Sequence, residues 1–339
     1  MTYNSDRLTE SRLFESNILT GIAIPLSLLY GLGIKLRPSP RIFKVKCPVI
    51  SVGNIHIGGT GKTPIVIAIA KALQRRGMKP AVVSRGYGGA LSKTGVELNS
   101  SHKSQEVGDE PIEIFSELKD VSVIIGADRA SACRAAEKIS NVIILDDGFQ
   151  HRRVHRDINI VVYPANAKPK RQRLLPWGRL REPLSALKRA HAIVRVREIG
   201  EEENKPGTEL KKYTDAQIFY GNRIIEGIEP YPGTVEPIAL LGRDVVALSG
   251  IAQPKRFYNA VTATGANIVE IYEGRDHHRF SEKEIELVKV LSERHDAIVV
   301  MTQKDAARFD KRALPFPAAI LKTGIDCPGL IDFCISRIL

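Results

Sequence analysis

A few residues in this chain have the types and spacing that phosphate chemistry needs. Lys62 and Thr63 follow the run G-G-T-G at 58–61. Residues without side chains let backbone N–H groups close around an anion, the lysine adds a full positive charge, and the threonine hydroxyl can reach Mg²⁺. Gly58, Gly59, Thr60, Gly61, Lys62 and Thr63 are therefore the candidate ATP-binding set. Asp146 and Asp147 close the apolar run V-I-I-L at 142–145, as when a strand delivers a carboxylate to Mg²⁺. With Thr63 they form the candidate metal set. Arg85, in R-G-Y-G-G at 85–89, is a candidate phosphate contact. Asp109, just before Pro111, reads either as a helix N-cap or as a functional carboxylate, and the adjacent His277 and His278 read either as surface or as site residues.

These residues need elements to hold them. Val49 to Val52 is a short apolar strand, and Ile65, Ile67, Ala68, Ile69, Ala72 and Leu73 recur at helical spacing before Gly77, giving strand, glycine loop, helix. The strict G-x-x-x-x-G-K-[ST] pattern asks for glycine at 56, where His56 stands, and Ile57 occupies the place of the second lysine of partitioning-type ATPases. Strands at 81–84, 121–125, 142–145, 158–162 and 192–196 alternate with helices from Glu110 and over 128–139, which predicts a parallel sheet buried on both faces. Between 201 and 237 the composition turns to E-E-E-N-K-P-G and E-P-Y-P-G-T-V-E-P, a linker with a two-stranded ribbon near Ile218 to Ile228. A second set of strands and helices follows. The fold class expected is α/β: a P-loop NTPase-like parallel sheet core, and a second, smaller α/β domain joined by a two-stranded linker. The expected divisions are 1–45, an N-terminal helical segment; 46–200, the P-loop core; 201–237, the linker; and 238–339, the smaller domain.

The chain has 339 residues, enough for two domains with their own cores, and at 43% hydrophobic and 26% charged it reads as globular. Its four cysteines show no C-x-x-C pairing, so neither a disulfide framework nor a structural zinc is expected, and a reducing cytoplasmic setting is. The formal charge of +12 is concentrated: residues 151–200 hold 13 Lys/Arg against three acids, a net of +10. Such a block attracts phosphorylated partners, whether nucleic acid, anionic lipid or a phosphorylated glycolipid. From Ser16 to Ile34 no residue is charged, and Lys35, Arg37, Arg41, Lys44 and Lys46 follow. Pro25 and three glycines interrupt that apolar stretch, and no A-x-A-like cleavage site precedes it. It reads as a helix in the membrane interface with a cationic skirt, or as an ordinary helix buried on the core.

In order along the chain stand S-V-G-N-I-H-I-G-G-T-G-K-T-P, S-R-G-Y-G-G, V-G-D-E-P, G-A-D-R, L-D-D-G-F-Q-H-R, L-P-W-G-R-L-R-E-P, D-H-H-R-F and T-Q-K-D-A. Together they resemble the tetraacyldisaccharide 4′-kinases, the lipid A 4′-kinases of Gram-negative bacteria, over nearly the whole chain. The resemblance implies an enzyme at the cytoplasmic face of the inner membrane that moves the ATP γ-phosphate to the 4′-hydroxyl of a tetraacylated glucosamine disaccharide 1-phosphate. ATP and Mg²⁺ are its implied cofactors. The lipid and the membrane surface are its partners, with no nucleic acid and no obligate protein partner. It also implies that Asp109 is a catalytic acid/base assisted by His277, with Lys62 catalytic on the phosphate side. Arg129, Arg181 and Glu182 are implied to line the cleft. Two other classes remain open on the residues: a partitioning-type ATPase binding nucleic acid through 151–200, and a non-catalytic nucleotide-binding adaptor at the membrane. The first would carry the lysine absent at Ile57, and the second leaves Asp109 and D-H-H without a role.

Overall fold

The computed structural model describes residues 17–38, 40–201, 207–232, 239–309 and 312–338. The expected N-terminal segment is therefore seen only from 17 onward, and parts of the expected linker, 202–206 and 233–237, lie outside the described residues.

Among the described residues twelve strands form one sheet, numbered in chain order and arranged as β10-β9-β11-β12-β8-β7-β6-β1-β5-β2-β4-β3. At the centre of its first half lie β1 (Val49–Gly53), β5 (Val142–Asp146) and β2 (Pro80–Ser84), parallel and buried at every position. Alternate residues face opposite sides of a strand, so each builds two cores. Ile50, Val52 and Ile144 pack under α2 (Lys62–Arg75), while Val49, Ile143 and Leu145 pack under α5 (Arg129–Ala136). Of the positions expected from the periodicity, helix α2 buries Ile65, Ile67, Ile69, Ala72 and Leu73 and leaves Ala68 half-buried, and it buries Val66 and Ala70 besides. Truncating fully buried Ile69 to alanine should cost about 2–5 kcal/mol through lost burial and the cavity left behind. Outward from β1 run β6 (Ile158–Pro164) and β7 (Ala192–Arg197), and beyond β2 lie β4 (Ser122–Ile125) and the two-residue edge strand β3 (Val96–Glu97).

The linker departs from expectation. Residues 218–228 do not form a two-stranded ribbon of their own; they belong to one 14-residue strand, β8 (Gln217–Pro230). Its start pairs parallel with β7, and its far end pairs antiparallel with β12 (Ala318–Asp326), so the second strand of the link comes from near the C-terminus. Pairing so distant in sequence leaves no local turn signal. Strands β9 (Asp244–Ser249), β10 (Asn267–Glu273) and β11 (Ile298–Thr302) continue parallel to β12. The boundary at 238–339 also needs correction. After β12 the chain returns to the first unit, where Leu330, Phe333, Cys334 and Ile335 of α9 (Leu330–Ile338) enter the core under α2.

Because β8 and β12 run in opposite directions, both half-sheets present their carboxyl ends to the same gap. Ligands of open α/β sheets bind at that edge. The gap is a cleft of about 570 Å³.

Helix α1 (Asn17–Lys35) lies against the core through Ser27, whose hydroxyl donates to the Leu174 carbonyl at 3.0 Å, and Tyr30, whose hydroxyl donates to the Arg181 carbonyl at 2.9 Å. Leu28, Leu29 and Leu32 on its other side are 71%, 63% and 51% exposed, which removes the reading of an ordinary buried helix. Among the described residues no helix is long and apolar enough to cross a membrane.

Candidate active site

One wall of the cleft is built on the ends of β1, β2 and β5. A Cβ on Gly53 would stand 2.6 Å from Phe149, so glycine is needed where β1 passes the turn after β5. Residues 55–57 then run extended beside 179–181: the Arg181 N–H donates to Ile55 at 2.7 Å and the Ile57 N–H to Arg179 at 2.9 Å. This explains His56. The position has no positive φ, so glycine is not required there, and the ring is buried edge-on to Tyr163. Burial lowers its pKa to about 4, so it is neutral. Positive φ falls instead on Gly58 and Gly61, at 90° and 91°, and Gly61 caps α2 with no side-chain partner for the first-turn N–H groups. Asn54 fastens the loop by donating to Thr60 Oγ1 at 2.8 Å.

Lys62 opens α2 with its Nζ 3.4 Å from Asp147 Oδ1, and Arg181 donates to Asp147 Oδ2 at 3.0 Å. Asp147 has φ of 47°, a conformation disfavoured for a residue with a Cβ, and a Cβ on Gly148 would meet Ser51 Oγ at 2.6 Å. The two aspartates are neighbours with opposite tendencies. Burial raises Asp146 to about 6, helped by the negative charges of Glu110 and Asp147. Burial also works against the Asp147 charge, but Lys62 and Arg181 outweigh it and hold that carboxyl below its usual range. Asp146 Oδ2 accepts from Ser84 at 2.9 Å, while Asp146 Oδ1 is buried with no hydrogen-bond partner.

The opposite wall joins the two units. Helix α4 (Asp109–Glu117) is capped by Gly108, at φ 95°, so Asp109 is its first residue and its side chain is free of the capping role. Asp109 Oδ2 instead meets His277 Nδ1 at 2.9 Å and Arg308 Nε at 2.9 Å, both from the smaller unit. Burial opposes the Asp109 charge, yet the His277 hydrogen bond and the Arg308 cation bring its pKa below the usual value. The same hydrogen bond raises that of His277. His277 sits at φ 60° in the loop after β10, whereas His278 turns to Glu284, at 2.8 Å. Further contacts close the gap: Lys304 to Glu110 at 3.1 Å, and Arg256 donating to the Gly59 carbonyl at 2.7 Å. Behind them Glu113 is buried beside Lys304, and burial pushes its pKa up to about 7.

A family model described as "Tetraacyldisaccharide-1-P 4'-kinase" matches residues 19–327. The chain belongs to this family. It is 36% identical over 332 residues to the tetraacyldisaccharide 4′-kinase of Geobacter metallireducens, covering 93% of this chain and 96% of that one. Against the Porphyromonas gingivalis (strain W83) protein of the same name it is 36% identical over 317 residues, 86% of this chain and 87% of that one. Its structure resembles the crystal structure of "apo" form LpxK from Aquifex aeolicus in complex with ATP, with a TM-score of 0.75 and 29% identity, over 93% of this chain and 98% of that one. The partitioning-type ATPase and the adaptor are thereby set aside in favour of a lipid A kinase.

Within this kinase the expected site residues fall into two groups. Gly58 to Thr63, Arg85, Asp109, Asp146, Asp147, Arg181 and His277 all line the cleft. Glu182 does not: it is buried behind the wall, accepting from Arg189 at 2.7 Å and Gln150 at 3.2 Å. Arg129 touches the cleft, but its guanidinium donates to the carbonyls of Val83 at 3.0 Å and Asp146 at 2.9 Å. These two bonds brace β2 against β5. Lys304, Arg308 and Arg256 were not singled out from sequence. The first two lie in or just after T-Q-K-D-A, and the Asp305 to Arg308 spacing of three on a helix was the available signal.

Proposed function

We propose that this kinase transfers the γ-phosphate of ATP, held on Gly58 to Thr63, to the 4′-hydroxyl of a tetraacylated glucosamine disaccharide 1-phosphate. The observation that carries this reading is the contact between Asp109 and His277, 168 residues apart, on the same cleft as Lys62. A phosphate on the loop meets uncapped N–H groups and the positive helix end, with Lys62 beside it. Phosphoryl transfer has a loose transition state and chiefly needs the attacking hydroxyl held in line. Asp109 is placed to take its proton, and His277 to orient that carboxylate and pass the proton on. Arg85, exposed at the cleft edge, and Arg181 are placed to meet phosphate groups of the two substrates.

The residues fit Mg²⁺. Asp146 Oδ1 is a buried oxygen without a hydrogen-bond partner, Asp147 Oδ1 faces the Lys62 ammonium at 3.4 Å, Thr63 lines the same cleft, and Mg²⁺ prefers a few carboxylates completed by phosphates and water. When bound, Mg²⁺ neutralises charge that develops on the phosphates.

The substrate's acyl chains keep it in a bilayer, since each buried CH₂ contributes about 0.8 kcal/mol. The exposed leucines of α1 and the basic skirt that follows suit docking in the interface at the cytoplasmic face of the inner membrane, with no nucleic acid or obligate protein partner required. The test is transfer of labelled γ-phosphate from ATP to the lipid disaccharide by purified protein. ATP hydrolysis indifferent to that acceptor would refute the reading.

A further inference from the structure

The T-Q-K-D-A run leads into α8 (Gln303–Arg308), and that helix ends in a guanidinium only 2% exposed. A buried cation is costly unless its charge and donors are matched. Arg308 is matched mostly within its own unit. Its Nη1 donates to the Gly250 carbonyl at 2.7 Å and to Asp305 Oδ1 at 2.9 Å. Asp305, fully buried, accepts from the Gly250 N–H at 3.0 Å and from the Thr302 hydroxyl at 2.7 Å. The remaining edge faces across the cleft: Nε reaches Asp109, and Nη2 is buried with no hydrogen-bond partner. His277, by contrast, is 55% exposed on its loop. Of the two groups on Asp109 Oδ2, Arg308 is the one fixed before they meet.

We propose that Arg308 is a positioning residue for phosphoryl transfer, holding Asp109 through Oδ2 so that Oδ1 is presented to the acceptor hydroxyl. This rests on the kinase reading with Asp109 as the base. In the step, the acceptor oxygen bonds to the γ-phosphorus, the bond from that phosphorus to the β-phosphate's bridging oxygen breaks, the hydroxyl proton passes to Oδ1, and ADP leaves. T-Q-K-D-A thereby acquires a role: Thr302 and Asp305 set the arginine that sets the aspartate. The groups around Asp109 are His277 and Arg308 on it, Asp276 behind His277, Asp305 behind Arg308, and Glu110 beside it on α4. Arg308 is among those that lower the Asp109 pKa, so its removal raises that pKa.

The experiment measures transfer from ATP to the tetraacyl disaccharide 1-phosphate in detergent micelles across a pH series, with thermal melting of each variant. Arg308→Met is expected to lower kcat roughly ten- to hundredfold with KM for ATP unchanged, the scale of a misplaced catalytic group, and to move the acid limb of kcat to higher pH. Arg308→Lys should lose less and keep the acid limb near its original place, because the charge remains while the planar fork is gone. Near-native kcat in Arg308→Met with an unmoved acid limb would overturn the proposal. So would a loss that raises KM for ATP and leaves the limb in place, the mark of a general prop. If Arg308→Met does not fold, Arg308→Lys decides: wild-type kcat there refutes the need for the fork. Absence of transfer by the wild type would instead count against the kinase reading itself, whereas wild-type transfer with failed variant expectations counts only against Arg308.

Discussion

The two walls of the cleft are made differently. The phosphate wall is a glycine loop and strand ends of one unit, with Lys62 at the start of α2 meeting Asp147 just past β5, over a sheet whose central strands are buried on both faces. The acceptor wall is side chains from two units, meeting as Asp109 with His277 and Arg308, and as Glu110 with Lys304. A wall of the first kind takes its geometry mainly from its own unit, with Arg256 of the smaller unit donating to the Gly59 carbonyl of its loop. One of the second kind is complete only when the units are together, so Asp109 meets its partners through the same contacts that join the units.

The division between walls can be broken by mutation. Asp109→Asn should have the largest effect, lowering kcat by roughly 10²–10⁴ while ATP affinity, measured by nucleotide titration, holds. Lys62→Ala should cost transfer roughly 10²–10³-fold and weaken ATP binding as well, since it removes a charge aimed at the phosphates. Equal loss of ATP affinity in both variants would erase the distinction.

His277→Ala is expected to cost less than Asp109→Asn, and the double variant should be no worse than Asp109→Asn alone, because the two act as a unit. Fully additive losses would separate them. Replacing Leu28, Leu29 and Leu32 together by serine should lower binding to anionic vesicles and activity on membrane-embedded substrate while sparing ATP affinity. High salt should release much of the wild-type protein, as screening within a Debye length of about 10 Å at 0.1 M predicts. Unchanged sedimentation with vesicles would remove α1 from the docking surface.

The smallest effect concerns pH. His277 has a raised pKa, so its contribution to holding the units together is complete below its ordinary value of 6.5 and is lost as pH rises through the higher folded value. Asp109 has a lowered pKa, so its share is present above 3.8 and lost only as pH falls through the lower folded value. Melting temperature should therefore fall slightly as pH rises from 6.5 through the higher folded value of His277, and this increment should vanish in His277→Gln. With His277 half exposed, solvent screening keeps the effect small. An identical slope in the variant would show that the pair contributes nothing to closure.

Much of the phosphate wall was legible in the chain because its physics is local. A strand, glycines at 58 and 61 where φ is positive, and a lysine opening a helix lie within a few residues of one another, and each constrains its neighbours. The D-D-G turn was legible for the same reason. The acceptor wall was legible only through resemblance. Nothing local distinguishes Asp109 from an N-cap, or His277 from His278, and nothing local shows that Glu182 is buried away from the cleft against Arg189.

The sequence by itself determined the parallel core, the phosphate loop and the apolar helix at the N-terminal side, because periodicity and turn chemistry are short-range. The tertiary structure decided that β8 pairs with β12, that the last helix returns to the first unit's core, and that Arg308 lies against Asp109. Those contacts join residues roughly 100 to 260 apart, where pairing is set by the packing of whole units and local residue patterns carry no record of it.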